Sequence, residues 1–138
     1  MKYVDASAVL RVLFHEHGPS VRLDPTDRVV SSQIVEVETF RAVDRARLLG
    51  QLDDVQTAIK RKELGDFLAM VDLAAVDGLV IDRAKSSFAV NVRALDAIHV
   101  ATAEVLRAEA AGETLEFWTH DDRQANAALS RGLTVRGL

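Results

Sequence analysis

Four carboxylates stand out by type and placement. Asp5 closes the short hydrophobic run Lys2-Tyr3-Val4, and Asp121 follows Phe117-Trp118-Thr119-His120. Glu38 lies in Gln33-Ile34-Val35-Glu36-Val37-Glu38, and Asp96 opens Leu95-Asp96-Ala97-Ile98-His99. Singly, each has a plain reading. Asp5, Asp96 and Asp121 fall at helix starts, where a carboxylate accepts free backbone N–H groups, and Ser7 could share that duty with Asp5. Glu38 alone reads as a solvated helix residue. Together they would repel one another and raise each other's pKa unless something positive sat among them. A divalent cation is the simplest neutraliser. With no cysteine in the chain, oxygen ligation suits a hard ion, Mg2+ or Mn2+, which keeps several waters. One ion, or a pair, so held lowers the pKa of bound water and stabilises charge on a phosphoryl oxygen, which suits phosphodiester hydrolysis.

For the four to meet, the chain must bring separate segments to one edge. Residues 2–5 read as a buried strand and 6–16 as a helix with Val9, Leu10, Leu13 and Phe14 inward, ended by Gly18-Pro19. Residues 28–31 read as a second strand, followed by a helix over 33–49 with Ile34, Val37, Val43 and Ala46 near one face and Gly50 as its stop. A second long helix over 51–71 places Leu52, Val55, Ile59, Phe67, Leu68 and Val71 at helical spacing, and so short a link implies an antiparallel hairpin. Residues 73–76 suggest a third strand and Asp77-Gly78 a turn, with a helix to about Ala89. An alanine-rich helix runs from Asp96 to about Ala111, the clearest strand is 115–119, and a short helix over 122–131 precedes a last strand over 134–136. Alternating strands and helices predict an α/β domain, a central, mostly parallel sheet covered on both faces. In such folds the working site lies beyond the carboxyl ends of the strands. Asp5, Glu38 and Asp121 then share one edge.

Two neighbours compete for these roles. Glu36 is about 200 degrees from Glu38 around a helix, so only one faces the pocket, and Glu38 is preferred. Asp122 directly follows Asp121 and reads as a supporting or capping acid.

The bulk numbers set the class. The 138 residues, 49% hydrophobic and 28% charged, make one folded domain over residues 1–138 rather than a disordered chain. No leader-like or membrane-spanning apolar stretch is visible, so the expectation is a cytoplasmic protein with no membrane association. A net charge of -4 would ordinarily argue against nucleic acid. Acids gathered around bound cations soften that objection, because the 17 Lys and Arg remain free to form a local basic rim.

Tyr3-Val4-Asp5-Ala6-Ser7, the Glu38 helix, the block Leu95-Asp96-Ala97-Ile98-His99-Val100-Ala101-Thr102-Ala103, and Thr119-His120-Asp121-Asp122 occur in an order and spacing that resembles the PIN-domain nucleases. Size and opening residues look most like VapC-type toxins of toxin-antitoxin pairs. The resemblance implies a three-layer α/β/α sandwich with a protruding helical hairpin. It also implies an endoribonuclease dependent on Mg2+ or Mn2+, with an acidic quartet of Asp5, Glu38, Asp96 and Asp121. Asp5 and Asp96 would bind the principal ion, and Glu38 and Asp121 would bind directly or through water. Ser7 and Thr119 would be hydroxyls that hold the carboxylates in place. A homodimer, a small VapB-like antitoxin covering the groove, and a single-stranded or loop RNA substrate cut to leave a 5′-phosphate and a 3′-hydroxyl complete what the resemblance implies.

Other residues have plainer readings. His99, three residues after Asp96, shares its helical face and reads as a packed or hydrogen-bonded histidine rather than a ligand of a hard ion. Arg41, Arg45 and Arg47 read as a solvated helix face, whereas Arg93 and Arg123, beside Asp96 and Asp121, are the candidates for RNA-backbone contact. Two other functions remain open on the residues alone: a non-catalytic RNA- or protein-binding module that keeps an acidic pocket, and a small α/β phosphatase with Asp5 as nucleophile, which requires a covalent aspartyl phosphate.

Overall fold

The computed structural model describes residues 1–110 and 112–138. Along the chain come β1 (Lys2–Val4), α1 (Ala6–Leu13), β2 (Val29–Ser32), α2 (Ile34–Leu48), α3 (Asp54–Leu68), β3 (Asp72–Ala74), α4 (Gly78–Ala84), α5 (Ala94–Glu109), β4 (Glu116–Trp118), α6 (Asp122–Ser130) and β5 (Thr134–Arg136). The five strands form one sheet in the order β3-β2-β1-β4-β5. Every pairing is parallel, with Tyr3 opposite both Val30 and Phe117 and Val4 opposite Trp118. The expected mostly parallel sheet is therefore wholly parallel.

Alternation along the strands sorts the core into two layers, because successive side chains point to opposite faces. Val4 and Val29 join Val9, Leu13, Val35, Val43, Leu64 and Leu68 beneath α1, α2 and α3. Tyr3, Val30 and Phe117 join Val100, Ala103, Ala127 and Ala128 beneath α5 and α6. A three-layer α/β/α sandwich results. The chain reverses its direction of travel across the sheet at β1, which lies between β2 and β4. That switch point opens a crevice at the carboxyl ends of the strands.

Several boundaries differ from the sequence expectation. Helix α1 stops at Leu13 instead of residue 16, and the turn beyond it takes His15 through φ 52. Helix α4 ends at Ala84, well short of Ala89. There Ser86 Oγ donates to the Arg83 carbonyl, and Arg131 on the far side of α6 donates to Ser86 Oγ and the Ser87 carbonyl. Those bonds hold the segment in a non-helical turn. Helix α5 begins two residues before Asp96 and is described to Glu109, while Ala111 lies outside the described residues.

The buried faces of the hairpin also differ. In α2 the inward residues are Val35, Thr39, Val43 and Ala46, and Val37 is 65% exposed. In α3 they are Thr57, Leu64 and Leu68, leaving Val55 and Ile59 at 69% and 50% exposure. Apolar residues on both sides of each helix allow two registers of burial. Packing against α1 chose the one that also buries the two threonines, whose hydroxyls return to their own helix at Val35 and Asp53 carbonyls. No described helix is long and apolar enough to cross a membrane.

Leu64 is the fully buried link from α3 into the first core layer. Leu64→Ala should cost about 2–5 kcal/mol through lost transfer energy and a residual cavity. Urea denaturation should show this as a lower midpoint with an unchanged slope.

Candidate active site

The site begins where β1 ends. The Asp5 N–H donates to the Trp118 carbonyl at 3.2 Å, extending the pairing of β1 with β4 by one residue before α1 starts. Asp5 then caps α1, its Oδ1 accepting from the Ala8 N–H at 2.7 Å. Only 1% of the residue is exposed. Two hydroxyls hold it further: Ser7 Oγ lies 2.7 Å from Oδ1 and 2.9 Å from Oδ2, and Thr119 Oγ1 donates to Oδ2 at 2.6 Å. With three donors for about four acceptor sites, the carboxylate keeps capacity for one more partner. Ser7 and Thr119 are thus both hydrogen-bonded to Asp5. In turn Ser7 Oγ accepts from the His120 N–H at 2.8 Å, and Thr119 Oγ1 accepts from the Asp121 N–H at 3.1 Å. Burial raises the Asp5 pKa, against the opposing influence of Thr119, His99, Ala8 and Ser7.

Asp121 sits on the turn that Thr119 fixes. It caps α6, with Oδ1 accepting from the Arg123 and Gln124 N–H groups at 2.8 and 3.1 Å. Both bonds fall on one oxygen, so the cap leaves Oδ2 for another task. Asp122 starts α6 and is exposed, with no hydrogen bond to the four acids among the described residues. Arg123 is exposed as well and touches the site through its backbone.

Asp96 lies in the first turn of α5, half-buried. Its Oδ2 is buried without a hydrogen-bond partner. Burial is the main cause of its raised pKa, and the Asp121 charge raises it further. The Arg93 charge and backbone N–H oppose this, and Glu38 adds to the rise. Asp121 and Glu38 thus lie within electrostatic reach of Asp96, while Asp5 joins Asp121 through the shared Thr119 hydroxyl. They are neighbours rather than a closed cage. Among the described residues no three His, Asp or Glu side chains stand close enough to hold an ion together.

That arrangement fits Mg2+ or Mn2+, which are bound through one or two carboxylates with water filling the other positions. The orphaned Asp96 oxygen is the direct sign of fit. A buried carboxylate oxygen without a donor is costly, and a cation or its water would complete it.

Glu38 enters from α2 with its side chain 21% exposed, and its Oε2 lies 2.7 Å from His99 Nε2. Glu36 makes no side-chain contact with the site among the described residues. Beyond Glu38 an open groove of about 690 Å³ is lined by Ala6, Leu10, Arg41, Ala42, Arg45 and Arg93, among others. Arg93 lines it as its place beside Asp96 suggests, and Arg41 and Arg45, on a helix face that reads as solvated, line it too. Their signal was present in the spacing, since Glu38, Arg41, Ala42 and Arg45 fall at i, i+3, i+4 and i+7 along one helix face. Tyr3 was passed over altogether, although it shares strand parity with Asp5. A smaller apolar cleft between α1 and α3, lined by Val9, Val12, Leu13, Leu64 and Phe67, contains none of the four acids.

Comparison with known proteins agrees with this geometry. The PIN domain family model matches residues 2–129. The chain is 33% identical over 136 residues to Ribonuclease VapC46 of Mycobacterium tuberculosis (strain ATCC 25618 / H37Rv), an alignment that covers 96% of this chain and 94% of that protein. A family match over nearly the whole length, joined by a relative of the VapC type at 33% identity, establishes that the chain belongs to the PIN-domain family and is of the VapC type.

Proposed function

We propose that the protein is a metal-dependent endoribonuclease, the toxin of a type II toxin-antitoxin pair, acting in the cytoplasm on RNA phosphodiesters. The observation that carries this reading is the buried, partnerless Asp96 oxygen lying in the field of Asp121 and Glu38. The similarity to a VapC ribonuclease supports the substrate class. Asp5 and Asp96 would hold Mg2+ or Mn2+, with Glu38 and Asp121 binding directly or through water. When bound, such an ion supplies an acidified water and offsets charge on the phosphoryl oxygens.

The chain's own contribution is orientation. Ser7 and Thr119 fix both oxygens of Asp5, and the α6 cap fixes Asp121. Arg93, Arg41 and Arg45 would take phosphates along the groove, and Arg123 would do so near Asp121. Contacts of this kind position a strand without reading its bases, so selectivity would rest on RNA shape or a splayed loop. A small VapB-like antitoxin covering the groove, and a homodimer, belong to the same proposal.

The phosphatase reading fits less well. A nucleophilic Asp5 must swing a carboxylate oxygen onto the phosphorus, whereas the Ala8 N–H, Ser7 and Thr119 fix its carboxylate in one orientation, which suits a ligand rather than an attacking group.

Asp96→Asn is nearly isosteric and removes the charge that an ion needs. Cleavage of an end-labelled RNA with Mg2+ should fall to background while circular dichroism stays unchanged. Retained Mg2+-dependent cleavage would sink the assignment.

Thr119→Val removes the hydroxyl shared by Asp5 and Asp121 and should lower the cleavage rate about 10–100-fold, the usual cost of losing a partner that orients a metal ligand. An unchanged rate would mean that Thr119 has no part in holding the ligands.

Proton linkage gives a third expectation. Asp5 and Asp96 have raised pKa values in the fold, so between the ordinary carboxylate range and those raised values the native state binds more protons than the unfolded chain. The stability they contribute without metal is complete below the ordinary range and is lost as pH rises through the folded values. Melting temperatures in chelator should show that loss, and the stabilisation by added Mg2+ should grow over the same rise in pH.

A further inference from the structure

A line of buried hydrogen bonds runs from the centre of the sheet to the acidic site, crossing four elements. The Ser32 N–H on β2 donates to the Tyr3 hydroxyl on β1 at 3.1 Å. That hydroxyl lies 2.7 Å from His99 Nδ1 on α5, and His99 Nε2 lies 2.7 Å from Glu38 Oε2 on α2. Tyr3, Ser32 and His99 are at most 1% exposed. Tyr3 is clamped flat on Phe117, ring centroids 4.9 Å apart, and meets the His99 ring edge-on.

The two ends of this line set its direction. A backbone N–H can only donate and a carboxylate can only accept. Because Glu38 Oε2 accepts, His99 Nε2 carries a proton and donates it there. In the neutral ring Nδ1 is then the acceptor, and the Tyr3 hydroxyl, while accepting from the Ser32 N–H, donates its own proton to it. The opposite tautomer would set the Nε2 lone pair against a carboxylate and leave two donors facing each other's territory at Tyr3. In a dry interior such a half-satisfied network is worse than an apolar one.

From this geometry we propose that His99 is a positioning residue for Glu38: Tyr3 holds the ring at Nδ1, and its Nε2–H pins Oε2 so that Oε1 is the oxygen presented to the metal site. The inference rests on the metal-nuclease reading for its purpose, and on the hydrogen bonds alone for its form. A free glutamate on a helix surface samples several rotamers, and a carboxylate pinned by one oxygen presents the other in a set orientation. His99 itself does not ligate, since both ring nitrogens are occupied within the protein. The line also explains why a histidine and a tyrosine with polar tips occupy positions that an apolar core would otherwise fill.

Three measurements test it. In the metal-free protein, long-range proton–nitrogen NMR should show His99 with its proton on Nε2, and an Nδ1–H ring overturns the proposal. Mn2+ affinity, read by electron paramagnetic resonance, should fall about 10–100-fold in His99→Ala. It should be largely restored in His99→Gln, whose amide offers an acceptor and a donor on neighbouring atoms. In a Glu38→Gln background, His99→Ala should bring no further loss. An unaltered Mn2+ affinity in His99→Ala, or an equal loss with and without the Glu38 carboxylate, means that His99 only packs, and overturns the proposal. Should His99→Ala fail to fold, Tyr3→Phe asks the same question: with Nδ1 left without its donor the ring is less firmly held, Mn2+ binding should weaken, and a wild-type affinity overturns the proposal. RNA cleavage is followed in parallel. A wild-type protein that binds Mn2+ with the expected His99 dependence and cuts no RNA would defeat the nuclease reading and leave the positioning role standing.

Discussion

A carboxylate that is almost entirely buried is the constraint on which this fold's working edge depends. Charged Asp5 loses its water and recovers only what the protein offers in return: an amide N–H from its own helix and the hydroxyls of Ser7 and Thr119. Stranding such a charge is expensive, so each donor must be in place for the native state to be preferred. Because Thr119 is 114 residues away, satisfying Asp5 also locks the end of β4 beside the end of β1. Thr119 and Ser7 each pass the constraint on, one to the Asp121 N–H and the other to the His120 N–H. The loop that carries the next acid is thus held by the needs of the first.

The same edge carries a deliberate imbalance. Asp121 spends one oxygen on a helix cap, Glu38 spends one on His99, and Asp96 keeps one buried and unspent. Each acid is anchored through part of its carboxylate and leaves the rest available. Burial of Asp96, with repulsion from Asp121 and Glu38 added to it, is the energetic cost of that arrangement and raises the Asp96 pKa. It is the kind of strain that persists where the surrounding structure over-determines it and a ligand relieves it. Parallel strands suit this purpose, since β1, β2 and β4 all deliver their chain ends to one crevice, and the helix before β4 returns its N-terminus there as well.

Particular residues show where periodicity was sufficient. Val9 and Leu13 in α1 are buried as their spacing required, because that short helix has a single apolar stripe. The long hairpin was harder: Val37, Val55 and Ile59 obey helical spacing yet face solvent, while Thr39 and Thr57 are inside. A helix with apolar residues on two sides does not specify which side is covered, and only the position of α1 and the sheet decides. The end of α4 was illegible for a similar reason, since the residues that stop it include Arg131, 45 positions away.

The sequence by itself determined the class of the fold and nominated the residue types of the candidate site. The acids' types, the absence of cysteine and the regular alternation of strand and helix are local facts, and together they imply oxygen ligands at the carboxyl edge of a parallel sheet. Only the tertiary structure decided how those acids are held. Glu38 and His99 are 61 residues apart and Tyr3 and His99 are 96 apart. Nothing in the spacing of one helix relates them. Their hydrogen bonds exist because the packing of α2, α5 and two strands leaves a dry interior in which an unpaired polar group cannot be tolerated, so the tyrosine, the imidazole and the carboxylate must complete one another.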